Sequence, residues 1–469
     1  MKYILFTLFF VGWSITLTHA QQEKKRVIVL TDIEADPDDT QSLIRFLLYS
    51  NQWDIEGLVA TTSIHQKTSV FPASIHKVLD AYKKVFPNLS LHEKGFPSHE
   101  HLSKLVKKGL PVYGMQGVGA NHDSEGSNWI VDQLMKPDER PIWFSIWGGP
   151  NTLAQALFKI KSTLSAAQAA KIYQKVRIYT ISDQDDSGPW IRKNFPDIFF
   201  VVTPGYSYSY ATWLGMSAKA PGSDLESVSN EWLAHNIQQG HGPLGALYPD
   251  VAYGMEGDTP AYLGLIENGL NNAQFPNYGG WGGRYEHYLP AFRDSNSGGF
   301  KRENWPKDEP ETRAIWTNAE DSLRGVDKQA YKSNVATIWR WRTAVQHDFA
   351  ARIDWTTKAY KDVNHPPVVK TAHPSAFTVK SGEEFFLNAE GTIDPDGDSM
   401  SYLWFQYKEA GTYPGYISTR PYSPNLYRLP ITAPQVDSPK TIHFILQVTD
   451  KGTPALTRYQ RVIVTVLPR

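Results

Sequence analysis

The chain contains no cysteine, which excludes a disulfide framework, a thiolate zinc site, a cysteine nucleophile and a lipid-modified N-terminal cysteine. It also lacks an excess of either charge, with 47 Lys and Arg against 48 Asp and Glu. No broad cationic field therefore exists to attract nucleic acid or an anionic membrane. No apolar run approaches the ~20 residues that span a bilayer, so membrane insertion is not expected. The apolar run Tyr3 to Val11 follows Lys2 and leads to Thr18-His19-Ala20. That pattern predicts a signal peptide over residues 1–20 and export to the periplasm or the extracellular space.

What is present divides the chain. Its 469 residues are roughly three times the ~150 of a common domain, so one large domain and one smaller one are expected. From Val27 a strand (VIVLTD) leads through an acidic loop into a helix (DDTQSLIRFLLYSNQ) with Leu43, Ile44, Phe46 and Leu47 on one face. Further unalternating apolar runs follow (IEGLVATTS, PIWFSIWGG, VRIYTISD, IFFVVTPG), spaced by helical stretches at Ser74 to Val85, Asn151 to Ile160 and Ala166 to Val176. Strands of this type are buried on both faces, which predicts a doubly wound, mainly parallel α/β sheet over residues 21–362. Ligands of such sheets lie beyond the carboxyl ends of the strands. The Gly-, Pro- and Trp-rich stretch from Gly240 to about Pro310 reads as lids or walls, and Asp327 to Tyr360 as a closing helical stretch. After a short stiff linker, Asn364-His365-Pro366-Pro367, alternating segments (FTVKSGEEFFLNAEG, MSYLWFQY, TIHFILQVTDKG) predict an Ig-like β-sandwich over 363–469.

The chemistry concentrates after the first strand. Asp32, Glu34, Asp36, Asp38 and Asp39 crowd into DIEADPDD, and like charges this close raise one another's pKa unless a cation or donors neutralise them. The N-terminus of the next helix can balance one or two of them, so Asp38 and Asp39 as caps are an alternative for part of the cluster. Oxygen ligands without Cys or clustered His select hard cations, Ca²⁺ above Mg²⁺ where coordination is flexible.

VIVLTDIEADPDDTQSL resembles the signature of the inosine-uridine type nucleoside hydrolases, a strand leading into D-x-D-x-x-x-D-D. The resemblance puts Asp32, Glu34, Asp38 and Asp39 on the four acidic positions. WGGPNTLAQAL resembles the G-P-L-T-N stretch, with Thr152 on the Thr whose carbonyl ligates calcium, and GMEGDTPAYL brings Asp258 to the Asp that completes the shell. The segments ISDQDDSGPWIRKNFP, MEGDTPAYLGLIENGL and GGWGGRY are similar to an exported branch of that superfamily, labelled cellulose-binding or nucleoside-hydrolase-like and carrying a C-terminal sandwich.

The resemblance implies Ca²⁺ held by Asp32, Glu34, Asp39, Thr152 and Asp258, with Glu34 or Asp38 taking a proton from water. It departs from the pattern at Glu34, one methylene longer than the usual Asp. Asp183, Asp186, Trp190, Glu256, Trp281 and Arg284 are candidate substrate-binding residues, with a capped helix start or a packed Gly-Trp turn as alternatives. The implied activity is hydrolysis of a glycosidic bond in a carbohydrate or nucleoside-like substrate. A carbohydrate-binding protein without turnover is the other reading. His65, His122 and Asp123 are ambiguous, and Asp394-Pro395-Asp396-Gly397-Asp398 in the second domain reads as a turn or a second calcium loop.

Overall fold

The computed structural model describes residues 23–206, 208–217, 219–293, 306–419 and 426–469; the expected signal peptide lies outside them. The apolar runs become parallel strands β1 (Lys25–Thr31), β2 (Trp53–Ala60), β3 (Val106–Lys108), β4 (Ile142–Ile146), β5 (Val176–Ser182) and β6 (Phe199–Thr203). Two later strands, β7 (Tyr285–Tyr288) and β8 (Ile315–Asn318), complete an eight-stranded sheet in the order β3-β2-β1-β4-β5-β6-β8-β7. Only β7, at the edge, runs antiparallel.

The unalternating sequence has a direct structural cause. Along β1, Val27 and Val29 enter one core while Ile28 and Leu30 enter another on the opposite face. Helices cover both sides. The first core is closed by α1 (Asp38–Leu48), α2 (Pro72–His92) and α3 (His99–Leu105), and the second by α4 (Glu125–Met135), α5 (Asn151–Thr163), α6 (Ala166–Tyr173) and α7 (Ser187–Asn194). The acidic loop, the Gly148-Gly149 turn and the SDQDD loop follow β1, β4 and β5, so all three collect at the carboxyl ends of central strands.

Two expectations need correction. Tyr285–Tyr288 pairs with β8 as an edge strand instead of forming part of a wall. The closing segment begins not as a helix but as a hairpin of β9 (Asp321–Arg324) and β10 (Ala330–Ser333); helix follows only from Ala336.

The C-terminal region packs a sheet of β11 (Ala376–Lys380), β13 (Met400–Gln406), β15 (Lys440–Asp450) and β16 (Thr457–Leu467) against the pair β12 (Glu384–Asn388) and β14 (Arg428–Thr432). Trp404, Phe444, Val462 and Val464 fill the space between them. The outer face of this module is fused to the α/β domain. Tyr407, Ile445 and Tyr459 belong to the first domain's core. Arg461 donates to the carbonyls of Leu270 and Gly279, and the Tyr459 and Arg461 N–H groups donate to Asn268 and Gly269 at 2.9 and 3.0 Å. Asn364 and His365, expected in a linker, are buried.

Candidate functional site

The loop after β1 closes as a tight turn, the Ala35 N–H donating to the Asp32 carbonyl at 2.9 Å. Glu34 occupies its third position with φ 83°, a left-handed conformation that a side chain adopts at a cost. Its side chain is thereby carried into solvent. Glu34 thus lies exposed at the rim, where its charge still acts on Asp39. Asp36 joins the compact group instead: Asp36, Asp38 and Asp39 present oxygens within 4.8 Å of one another. Five clustered acids were visible in the sequence, but not which of them the turn would expel.

Asp32 and Asp39 are almost wholly buried. The Thr31 hydroxyl donates to Asp39, and Ser63 donates to Asp32. A side chain at Gly148 would press on the Asp32 carboxylate, its Cβ 2.6 Å from Oδ1, so glycine permits this approach. Asp38 rests against Gly257 in the same manner, at 2.7 Å, which brings the residue before Asp258 onto the start of α1. Asp258 is buried and its Oδ2 meets no donor. Four carboxylates from two distant segments thus face one another.

Burial, and then the charges of their neighbours, hold Asp38, Asp39 and Asp258 well above the usual carboxylate range. Burial pushes Asp32 up to about 6. Buried acceptors that find no donor require a cation, a proton or water. The donor set here, all carboxylate oxygen, fits a hard divalent cation.

Asp258 is held by a frame the sequence did not reveal. Arg45, two turns along α1 from Asp38, is fully buried and donates to Glu256 from Nε at 2.5 Å and from Nη2 at 3.0 Å. Tyr248 and Thr259 donate to the same carboxylate at 2.7 and 2.8 Å. Glu256 has no capacity left for substrate, so its expected role is corrected to positioning. An arginine inside the apolar stripe of α1 was the available signal, since such a charge demands a partner.

Other expected site residues make contacts within the protein. Asp183 receives both guanidinium nitrogens of Arg192, at 2.8 and 2.9 Å, and the Gly205 N–H. Arg284 donates to Asp321 and Glu286, each at 2.7 Å. Trp281 is wholly buried in the first core. Asp186 accepts from the Met115 N–H at 2.7 Å, and Trp190 packs edge-on against Phe195. Thr152 is buried in the first turn of α5, its hydroxyl 3.2 Å from that of Thr61. Asp123 pairs with Lys159.

Asp185 differs from its neighbours. Its Oδ1 accepts from Ser187, its Oδ2 meets no donor, and burial pushes its carboxyl up to about 7. It backs onto Gly149 as Asp32 backs onto Gly148, so two buried acids flank one glycine pair at the tip of β4. A line of aromatic groups borders the site. His65 Nε2 lies 2.9 Å from the Tyr208 hydroxyl, Tyr208 meets Trp213 edge-on, and Trp213 abuts Gly257 while donating to Ser182 at 2.9 Å. Trp213 escaped the sequence reading, although aromatic residues just beyond a strand's carboxyl end (YSYSYATW) were a usable signal.

Among the described residues no helix is long and apolar enough to cross a membrane. Residues 26–285 match the family described as cellulose-binding Sde182, nucleoside hydrolase-like domain, and residues 384–466 match the C-terminal domain of cellulose-binding protein Sde0182. A solved structure from Saccharophagus degradans, a nucleoside hydrolase-related hypothetical protein associated with carbohydrate metabolism, is 34% identical. The match covers 95% of this chain and 100% of that one, with a TM-score of 0.78. The effector protein XOO4466 is 11% identical over 71% of this chain and 93% of its own, with a TM-score of 0.35. A search among curated proteins found no match.

Proposed function

The chain belongs to the family of cellulose-binding Sde182 proteins with a nucleoside hydrolase-like domain, and on that premise we propose that it is an exported, Ca²⁺-dependent hydrolase of glycosidic bonds in carbohydrate. One observation carries the reading: buried Asp32, Asp39 and Asp258 and half-buried Asp38 converge at the carboxyl end of β1, mutually repelling, with Asp258 Oδ2 unmatched by any donor.

Asp32, Asp39 and Asp258, with Asp36 in place of Glu34, would hold the cation. When bound, calcium supplies Lewis acidity that lowers the pKa of water and binds sugar hydroxyls. The remaining work falls to the chain. Asp38, half-buried at the start of α1, accepts the proton of the attacking water. The carboxylates around it favour positive charge developing at the anomeric carbon. Trp213 and Tyr208 offer ring faces to a sugar and keep bulk water from one side.

The test is Asp38→Asn, incubated with oligosaccharides and nucleosides beside the wild type, with calcium and with chelator. Sugar release should require calcium and fall about 100-fold or more in the variant, since a general base contributes ~10²–10⁴. Release that survives both chelation and Asp38→Asn removes the proposed mechanism.

The family description favours a second reading, in which the same pocket binds cellulose-type chains without turnover. Calcium-dependent retention on cellulose with no product formed would select it.

A further inference from the structure

The aspartate turn of the C-terminal module has no part in that function. Asp394, Asp396 and Asp398 lie in a turn where Gly397 takes φ 81°. Asp394 Oδ1 accepts from the N–H groups of Asp396 and Asp398, each at 3.0 Å, which leaves Oδ2 buried without a donor. That half of the carboxylate is not used by the turn.

Two other segments bring similar oxygens to the same place. Asp450, at the end of β15, is wholly buried. Its Oδ1 takes the N–H groups of Gly452 and Leu456 and the Asn364 amide, at 3.1, 2.9 and 3.0 Å, while its Oδ2 meets no donor. Asn364 is 5% exposed, and its Nδ2 is committed to Asp450 and to the Pro454 carbonyl at 2.8 Å. That commitment fixes the amide's orientation and leaves Oδ1 buried without a partner. The turn is tied to the Asn364 segment on both sides: Val368 and Ile393 exchange N–H···O bonds, and Asp396 accepts from the His365 N–H at 2.6 Å. Asp394 also acts electrostatically on Asp450.

Three oxygens able only to accept are therefore buried without a donor on three adjoining segments, and among the described residues neither carboxylate forms an ion pair with Lys or Arg. Burying one such oxygen without a donor is unfavourable, so three together call for a ligand that attracts oxygen from several directions. Two carboxylates and an amide carbonyl are oxygen ligands of the calcium type.

We propose that Asn364 Oδ1, Asp394 Oδ2 and Asp450 Oδ2 bind a second calcium ion, which clasps the segment leaving the α/β domain to the β-module. The location gives the ion its role. His365, next to Asn364, stacks on Tyr360 at 3.7 Å and on Trp355 at 5.1 Å, and its Nε2 lies 3.0 Å from His92 at the end of α2. The bound ion locks that seam and takes no part in the chemistry at Asp38.

Metal-stripped full-length protein is titrated with Ca²⁺, and bound calcium and the unfolding midpoint are read for the wild type, Asp394→Asn and Asp258→Asn. Asp394→Asn keeps the oxygen that organises the turn and puts an NH₂ group where the ligand oxygen stood; Asp394→Ser is the alternative if it misfolds. The expected result is one equivalent fewer per chain and loss of a calcium-dependent rise of about 3–5 °C, the scale for a ligand at 100 times its Kd. Asp258→Asn should lose the other equivalent and keep this one. Equal calcium binding by wild type and Asp394→Asn overturns the clasp and leaves the proposed function standing. Loss in Asp394→Asn alone does the reverse.

Discussion

Five acids follow β1 and three follow β5, and only the second group meets a guanidinium among the described residues. Arg192, on α7 nine residues beyond Asp183, neutralises it face to face, so most of the SDQDD loop becomes scaffold. No such residue comes to Asp32, Asp38, Asp39 or Asp258, and each holds its proton above the ordinary carboxylate range. Aspartate density alone does not tell an unneutralised loop from a neutralised one; the presence of a buried counter-charge does.

Breaking the neutralised loop should have the largest effect. Asp183→Ala strands Arg192, with Glu311 as its remaining partner, and is expected to cost about 3 kcal/mol in urea unfolding, the low end for a broken buried pair. A loss below ~0.5 kcal/mol would mean that the pair adds nothing.

The unneutralised loop should respond to pH. Because the four acids hold protons more tightly folded than unfolded, their favourable contribution is complete below about pH 4 and is lost as pH rises through about 6, the Asp32 value, and beyond. In chelator, Asp258→Asn should therefore gain on the wild type in melting midpoint between pH 4 and 6, and saturating calcium should reverse the order. A gap that stays constant with pH would show that these charges are not in conflict.

The smallest effect should come from Glu34. With its side chain at the rim, Glu34→Gln should leave turnover within tenfold of the wild type, against the hundredfold expected of Asp38→Asn. A loss as large as that of Asp38→Asn would return Glu34 to the centre of the site.

Much of this was legible in the sequence because the responsible forces are local. Unalternating apolar runs gave the parallel sheet, since strands covered on both faces cannot afford polar positions. Crowded acids gave the loop, since repulsion between neighbours in the chain does not depend on the fold. The failures concern partners remote in sequence. Glu256 looks available until Arg45, 211 residues earlier, reaches it. Arg284 looks like a cleft residue until Asp321 arrives from β9. Asp258 was identified only through family resemblance, because a single Asp in EGDTP says nothing of the loop it will meet. Trp213 was missed because its stretch has neither strand nor helix periodicity.

The seam between the domains has a consequence for how such a protein can change. Tyr407, Ile445 and Tyr459 are the missing wall of the large domain's core, supplied from a later stretch of the chain. An accessory module joined by a tether can be exchanged or discarded as lineages diversify. One that serves as a keystone must be inherited with its arch, so the two halves can be expected to vary together.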